Sequence, residues 1–262
     1  MKKMKATLAI AMASVLTIGL VGCGSSSAPA ATEQTSAAAG TDTTASAEAT
    51  TTASGSDLNI MLETPVESLD PQQATDGTSF EVIADYTDGL MQMDADGQAV
   101  PALAESYDLS DDGLTYTFKL RDGIKFSDGT PVTAEDVKYS IERCAGLLDG
   151  TPLVKALSIV SGVEIVDQST INIVLSEANS EIIYYLTADI IPASSSETGE
   201  IIGTGPFKLD SYVPQEGIVL TRNEYYWQEG LPYLDKVTFK IVASAESAMM
   251  ELQAGSIDIY PY

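Results

Sequence analysis

Leu58, Ile60 and Leu62 alternate with Asn59 and Met61, a period of two that predicts a short strand, and Leu69-Asp70-Pro71 breaks the run that follows. Thr78-Ser79-Phe80-Glu81 has the form of a capping box. Val82, Ile83, Tyr86 and Leu90 recur behind it at helical spacing, so a helix capped by Thr78 is expected. Leu114, Tyr116, Phe118 and Leu120 alternate with Thr115, Thr117 and Lys119 and predict a half-buried strand. Arg121-Asp122-Gly123 turns it, Ile124-Lys125-Phe126 forms a brief return, and Ser127-Asp128-Gly129-Thr130-Pro131 turns again. Thr133, with Asp136 three residues on, then caps a helix whose apolar side carries Val137, Ile141 and Cys144.

Further along, 162–166 and 170–175 read as a hairpin turned at Asp167-Gln168, and Ile182 to Leu186 as a helical turn. Residues 207–213, 218–221 and 237–242 predict three more strands. Ser244 opens a last helix with Met249, Met250 and Leu252 as its apolar face and Gly255 as its stop. Strands dominate and helices are interspersed, which makes the fold class α/β with mixed sheets.

The first 56 residues follow a different pattern. Lys2, Lys3 and Lys5 precede an uncharged apolar run from Ala6 to Val21, the n-region and h-region of a secretory signal. The run ends in Leu20-Val21-Gly22-Cys23, which resembles the lipobox of bacterial lipoproteins. That resemblance implies a signal peptide over 1–22 and a lipid on Cys23. The alternatives are an ordinary cleaved signal and a retained membrane anchor. Residues 24–56 are almost wholly Ala, Ser, Thr, Gly and Pro; with Cys23 they form a lipidated, flexible tether over 23–56.

The chain carries 13 basic and 38 acidic residues, net −25. Loss of the three signal lysines would leave ten basic residues against 38 acidic, net −28. So acidic a chain is unsuited to nucleic acid and is not drawn to an anionic bilayer, which makes a lipid anchor more necessary. There is no histidine, which excludes Ser-His and Cys-His catalysis and His-based zinc sites. Of two cysteines, Cys23 falls at the lipobox and Cys144 at the end of a predicted helix, where it reads as a small buried hydrophobe. Calcium-type loops starting at Asp108 or Gln92 end on Lys119 and Leu103 instead of Glu. Gly203-Thr204-Gly205-Pro206-Phe207 lacks the third glycine of a dinucleotide fingerprint. Tyr225-Tyr226-Trp227 reads as a packed aromatic cluster, with a ligand platform as the alternative. No metal and no cofactor is implied.

Four blocks carry a resemblance to a known family. They are Ser68-Leu69-Asp70-Pro71; Val100-Pro101-Ala102-Leu103-Ala104-Glu105-Ser106 running on to Arg143; Gly203-Thr204-Gly205-Pro206-Phe207-Lys208-Leu209; and Val219 to Trp227. Leu252-Gln253-Ala254-Gly255-Ser256-Ile257-Asp258 extends them. From Leu58 onward the chain resembles the extracellular solute-binding proteins of oligopeptide and dipeptide ABC importers, solute-binding protein family 5, in its N-terminal portion.

The resemblance implies a periplasmic-binding-protein type II-like clamshell. Residues 57–92 and 194–262 would form lobe I, with an inserted lobe II over 93–193. The family's third lobe is missing from the sequence, so a truncated chain is expected. It also implies a monomeric protein that captures a peptide or other small solute by lobe closure and delivers it to an ABC permease and ATPase complex. The protein would sit at the cell surface, on the outer (periplasmic) face of the cytoplasmic membrane. Ligand-binding positions implied on lobe I are Thr75, Asp76 and Gly77, where a peptide lies along the backbone as an added strand, and Tyr260, Pro261 and Tyr262 after the last helix. Alternatives are the same fold binding a nickel chelate, an opine or an oligosaccharide and, from another class, a surface lipoprotein hydrolase. No S-x-x-K stands in a suitable strand–helix context for the hydrolase.

Overall fold

The structure, a computed structural model, describes residues 56–199 and 202–261. Its strands are β1 (Asp57–Leu62), β2 (Met91–Met93), β3 (Ala99–Pro101), β4 (Ala104–Leu109), β5 (Thr115–Leu120), β6 (Val160–Ile165), β7 (Thr170–Leu175), β8 (Phe207–Val213), β9 (Gly217–Arg222) and β10 (Lys236–Ile241). Its helices are α1 (Gly77–Ile83), α2 (Ala134–Ala145), α3 (Ser195–Thr198) and α4 (Ala245–Ala254).

One sheet has the order β1-β10-β9-β8. β1 runs parallel to β10 with Leu58 opposite Val237 and Ile60 opposite Phe239, and the other pairings are antiparallel. The period-two residues of β9 and β10 meet on one face, where Ile218, Leu220, Val237 and Phe239 are buried with Leu62 of β1, Val82 and Ile83 of α1, and Tyr86 just after it. The second sheet is antiparallel, in the order β4-β5-β7-β6. Tyr116 faces Ile173 and Phe118 faces Ile171, and α2 covers that face with Val137, Ile141 and Cys144. β2 and β3 form a separate two-stranded ribbon.

α2 starts as the sequence predicts. The Thr133 side chain accepts from the Asp136 N–H while the Asp136 carboxylate accepts from the Thr133 N–H at 2.8 Å, and Gly146 ends the helix in a left-handed conformation. Cys144 is fully buried, and burial pushes its thiol up to about 12, which makes it a core atom and not a nucleophile. The 162–175 hairpin and the three late strands also form where the pattern puts them.

Other expectations are corrected. The cap of α1 is Asp76 and not Thr78: Asp76 is extended and its carboxylate accepts from the Ser79 N–H at 2.8 Å, while the Thr78 hydroxyl lies 2.8 Å from that of Thr64. α1 ends at Ile83, so Leu90 is not on its face; it is buried in the second core with Met91. Ile124-Lys125-Phe126 makes a single bridge, Lys125 with Pro131, instead of a strand. The turn near 182–186 is a 3₁₀ segment, Ser180–Tyr184, starting earlier because the Asn179 side chain caps the Glu181 N–H. On α4 the buried residue is Ala248, whereas Met249 and Met250 are exposed and Leu252 is partly buried. The sequence pattern predicts no strand at β2, β3 or β4: the first two are three residues long, and β4 is an edge strand with only Ala104 buried.

Where the two sheets join, stretches of chain lie side by side. The Gly205 N–H donates to the Tyr86 carbonyl at 3.1 Å, the Phe207 N–H to Asp85 at 3.0 Å and the Ile190 N–H to Asp88 at 2.9 Å, and Gly89 bridges Asp189. This explains the glycines of Gly203-Thr204-Gly205. A Cβ on Gly203 would lie 1.7 Å from the Tyr86 carbonyl oxygen, and one on Gly205 2.6 Å from the Thr87 nitrogen.

Candidate functional site

The parallel pair β1–β10 leaves the first sheet with one edge at which strand carboxyl ends, and the loops that follow them, come together. In open α/β sheets this is where ligands bind. β1 is central to it. The Val242 N–H donates to the Leu62 carbonyl at 3.1 Å, and the Met61 N–H to the Ile259 carbonyl at 3.0 Å. The Thr64–Thr78 hydroxyl contact brings the start of α1 to the same place. Residues 62–64, 76–78, 242–244 and 259–261 therefore converge.

Thr75 and Gly77 are exposed, and open space surrounds the Gly77 Cα. Asp76 caps α1; hydrogen bonds from the Ser79 hydroxyl and N–H hold its carboxyl below the usual range, so it stays ionised. Tyr260 packs against Met61, Val242, Ala248 and Ile257, and Pro261 is exposed. Thr75–Gly77 and Tyr260–Pro261 thus reach the same sheet edge through β1. Tyr262 and Cys23 lie outside the described residues. Periodicity missed the main chain itself. Among the described residues no hydrogen bond uses the backbone N–H or C=O of Glu63, Thr64, Thr75 or Ala243. Exposed, unpaired backbone next to a sheet edge is the template on which an extended ligand adds main-chain hydrogen bonds.

Trp227 is placed by packing, against the second core. Its indole N–H donates to the Asp88 carboxylate at 3.0 Å and the Arg121 guanidinium lies 4.7 Å from its ring centre. A cleft of about 690 Å³ lies between Leu69–Asp70, Tyr86, Tyr139, Arg143 and Ser195–Ser196. Its charges are already satisfied: the Arg143 guanidinium grips both Asp70 oxygens, at 2.6 and 3.1 Å, and donates to the Gln72 side chain at 2.9 Å. Its charged pair thus joins two elements of this chain.

Three acids sit at the crossing. Burial raises Asp85 and Asp88 to about 6, the latter against its bond from Trp227, and burial with the nearby Asp88 charge raises Asp189 to about 7. A carboxyl whose pKa is raised by folding holds its proton more tightly in the native state. Stability is then greatest at acid pH and is lost as pH rises through 6 to 7. Lowering the pH from 8 to 5 should raise the thermal midpoint, by a stabilisation of at least about 2 kcal/mol given about 1.4 kcal/mol per pKa unit. A flat or falling midpoint in a calorimetric pH series would contradict this.

The sheet edge, the crossing strands and the open backbone define a type II binding-protein fold. Comparison with known proteins places it more narrowly. The sequence profile of bacterial extracellular solute-binding proteins, family 5 middle region, matches residues 98–262. The chain is 34% identical over 211 residues to the glutathione-binding protein GsiB of Escherichia coli (strain K12), covering 77% of this chain and 41% of the relative. The structure of MppA, a periplasmic murein tripeptide-binding protein in its unliganded open form, superposes with TM-score 0.69 at 30% identity, over 78% of this chain and 45% of that one. That of AgaA, in complex with agropinic acid, from A. tumefacien R10, superposes with TM-score 0.71 at 30% identity, over 77% and 43%. The chain belongs to the family 5 extracellular solute-binding proteins of ABC importers. It spans about two fifths of the length of the curated relatives it matches. The family is one of solute-binding proteins and not of enzymes, and its extracellular or periplasmic character fits a location outside the cytoplasmic membrane.

Proposed function

We propose that this protein is the lipid-anchored substrate-binding component of an ABC importer, and that it captures peptides at the carboxyl edge of its first sheet. The observation that carries the reading is the convergence of unpaired backbone at Glu63–Thr64, Thr75 and Ala243 beside β1. A peptide has an N–H and a C=O at almost every residue and can complete that edge as a strand, with little demand on side-chain identity. Thr75, Asp76 and Gly77 would form one margin of the site and Tyr260 and Pro261 the other; Tyr262, outside the described residues, is proposed from the family resemblance alone.

The division into lobe I (57–92 and 194–262) and lobe II (93–193) is supported by two sheets with separate cores, although Leu90 and Met91 pack in the second core. Closure of lobes over the solute is the proposed capture step, and transfer to a permease and its ATPase the next. Lipidation of Cys23 would hold a monomer at the outer face of the membrane, with 24–56 as its tether. AgaA supports a second reading, since it binds a non-peptide, agropinic acid, on the same fold. Mass spectrometry of the solute released on denaturation separates the two: short peptides support the first reading, and a single non-peptide mass replaces it with the second.

A further inference from the structure

A second cleft, about 400 Å³, opens beside the Thr75 margin, with Ala74 and Phe80 on one wall and Leu153, Tyr184 and Tyr185 on the other. Phe80, Leu153, Tyr184 and Tyr185 are all more than a third exposed, although each is a large apolar or aromatic side chain. Large exposed apolar side chains gathered round one concavity mark a binding surface more often than scattered ones do.

Asp189 also lines this cleft. Asp189 is only partly exposed, and burial raises its carboxyl to about 7, with the like charge of Asp88 nearby. Among the described residues no Lys or Arg forms an ion pair with it. Arg143 is committed to Asp70 and Gln72, and the Gln72 amide nitrogen donates to the main-chain oxygens of Asp189 (2.8 Å) and Ser140 (3.3 Å). The chain therefore supplies no cation to this carboxyl, which is neutral below about pH 7 and carries an unpaired charge above it. A cation from outside would be favoured there only at the higher pH. No group of three or more acidic or thiol ligands suited to a metal occurs among the described residues. An aromatic rim over an apolar wall instead suits an organic cation, whose stem packs while its charge meets both the ring faces and the carboxylate.

We propose that this cleft binds the alkyl-ammonium or alkyl-guanidinium end of a ligand, with Asp189 as counter-ion and Phe80, Tyr184 and Tyr185 around the stem. Ala74 is adjacent to Thr75, so a peptide added along that backbone would set a lysine or arginine side chain here. This last step rests on the peptide-binding reading, whereas the preference of the cleft for cations does not.

The test is a calorimetric or NMR titration of the full chain with lysine amide, and with norleucine amide, which has the same stem but no terminal ammonium. At pH 8 lysine amide should bind about tenfold more tightly. With Asp189 titrating at about 7, that advantage should fall about tenfold by pH 6, where the carboxyl is protonated before it can pair. The other groups facing Asp189 are Tyr86 and Cys144, whose protons burial retains across this range, and Asp88. Asp88, at about 6, is itself half ionised at pH 6 and charged at pH 8, so Asp88→Asn is the control that assigns the pH dependence to Asp189. The Arg143–Asp70 pair lies behind Gln72, and Lys155 is exposed just after Val154 on the wall. Asp189→Asn should abolish the preference. Phe80→Ala, at a position 48% exposed, should weaken lysine amide severalfold even if the first variant fails to fold.

Equal binding of the two amides, a preference that survives Asp189→Asn, or one that is constant from pH 6 to 8 overturns the proposal. Failure of this proposal is distinguishable from failure of the peptide reading. Neutral tripeptides that bind as well as lysine-containing ones sink the cleft and leave peptide capture standing. Binding of lysine amide without binding of any tripeptide does the reverse.

Discussion

Gly203→Ala should be the most disruptive single-methyl change in the molecule, destabilising it by about 3 kcal/mol or more. The new Cβ would lie 1.7 Å from the Tyr86 carbonyl oxygen, well inside any real contact, and the obstacle is backbone rather than a flexible side-chain end. Relief requires the 203–207 stretch to move off 85–88, which would strain the bonds from Gly205 to Tyr86 and from Phe207 to Asp85 and the Asp88 N–H bond to the Thr204 hydroxyl. Gly162→Ala is the control. It sits in β6 with nothing within 4 Å of the place a Cβ would take, so stability should change by less than about 1 kcal/mol and can rise. Urea titration of both variants decides it; similar midpoints would mean that the crossing is not held as described.

Arg143→Met should have the next largest effect, about 2–4 kcal/mol. The Arg143–Asp70 side chains are each 18% exposed, and their two hydrogen bonds join α2 to the Ser68-Leu69-Asp70-Pro71 turn. Removing the cation leaves Asp70 half-buried, with only the Gln72 N–H and the Gln73 amide as partners. Burial opposes ionisation of Asp70, but the hydrogen bonds and charge of Arg143 outweigh it and hold the carboxyl below 3.8. Its contribution to stability is therefore present above about pH 4 and is lost on further acidification, opposite in sign to the effect of Asp85, Asp88 and Asp189. The Asp70→Asn, Arg143→Met double variant should lose clearly less than the sum of the singles. Additive losses would show that the pair is not coupled.

Elements with a strong period were legible from the sequence because burial on one face imposes it. β5, β7, β9 and β10 alternate buried and part-exposed positions, and α2 has both its capping box and its glycine stop. β4 was not legible, since an edge strand with only Ala104 buried leaves no alternation to read. The start of α1 was ambiguous for a chemical reason: Asp76 and Thr78 can both cap, and the contact with Thr64, fourteen residues away, takes the Thr78 hydroxyl. Met249 and Met250 look like a helix face, yet only Ala248 of α4 is fully buried.

The candidate site was legible only through the family resemblance, which supplied Thr75–Gly77 and Tyr260–Tyr262. What those segments share, unpaired main chain beside β1, has no side-chain signature. Asp189 was invisible for a related reason. One acid among 38 carries no sign of burial until the fold places Asp88 and Gln72 beside it.

The most direct test is mass spectrometry of whatever leaves the protein on denaturation, after expression from Asp57 to the natural stop codon of its gene and purification without added ligand. Short peptides, recovered in near-equal amount to the protein, are the predicted result. A protein that releases nothing, and that shows no heat of binding or thermal shift with a tripeptide mixture, would contradict solute capture at the β1 edge.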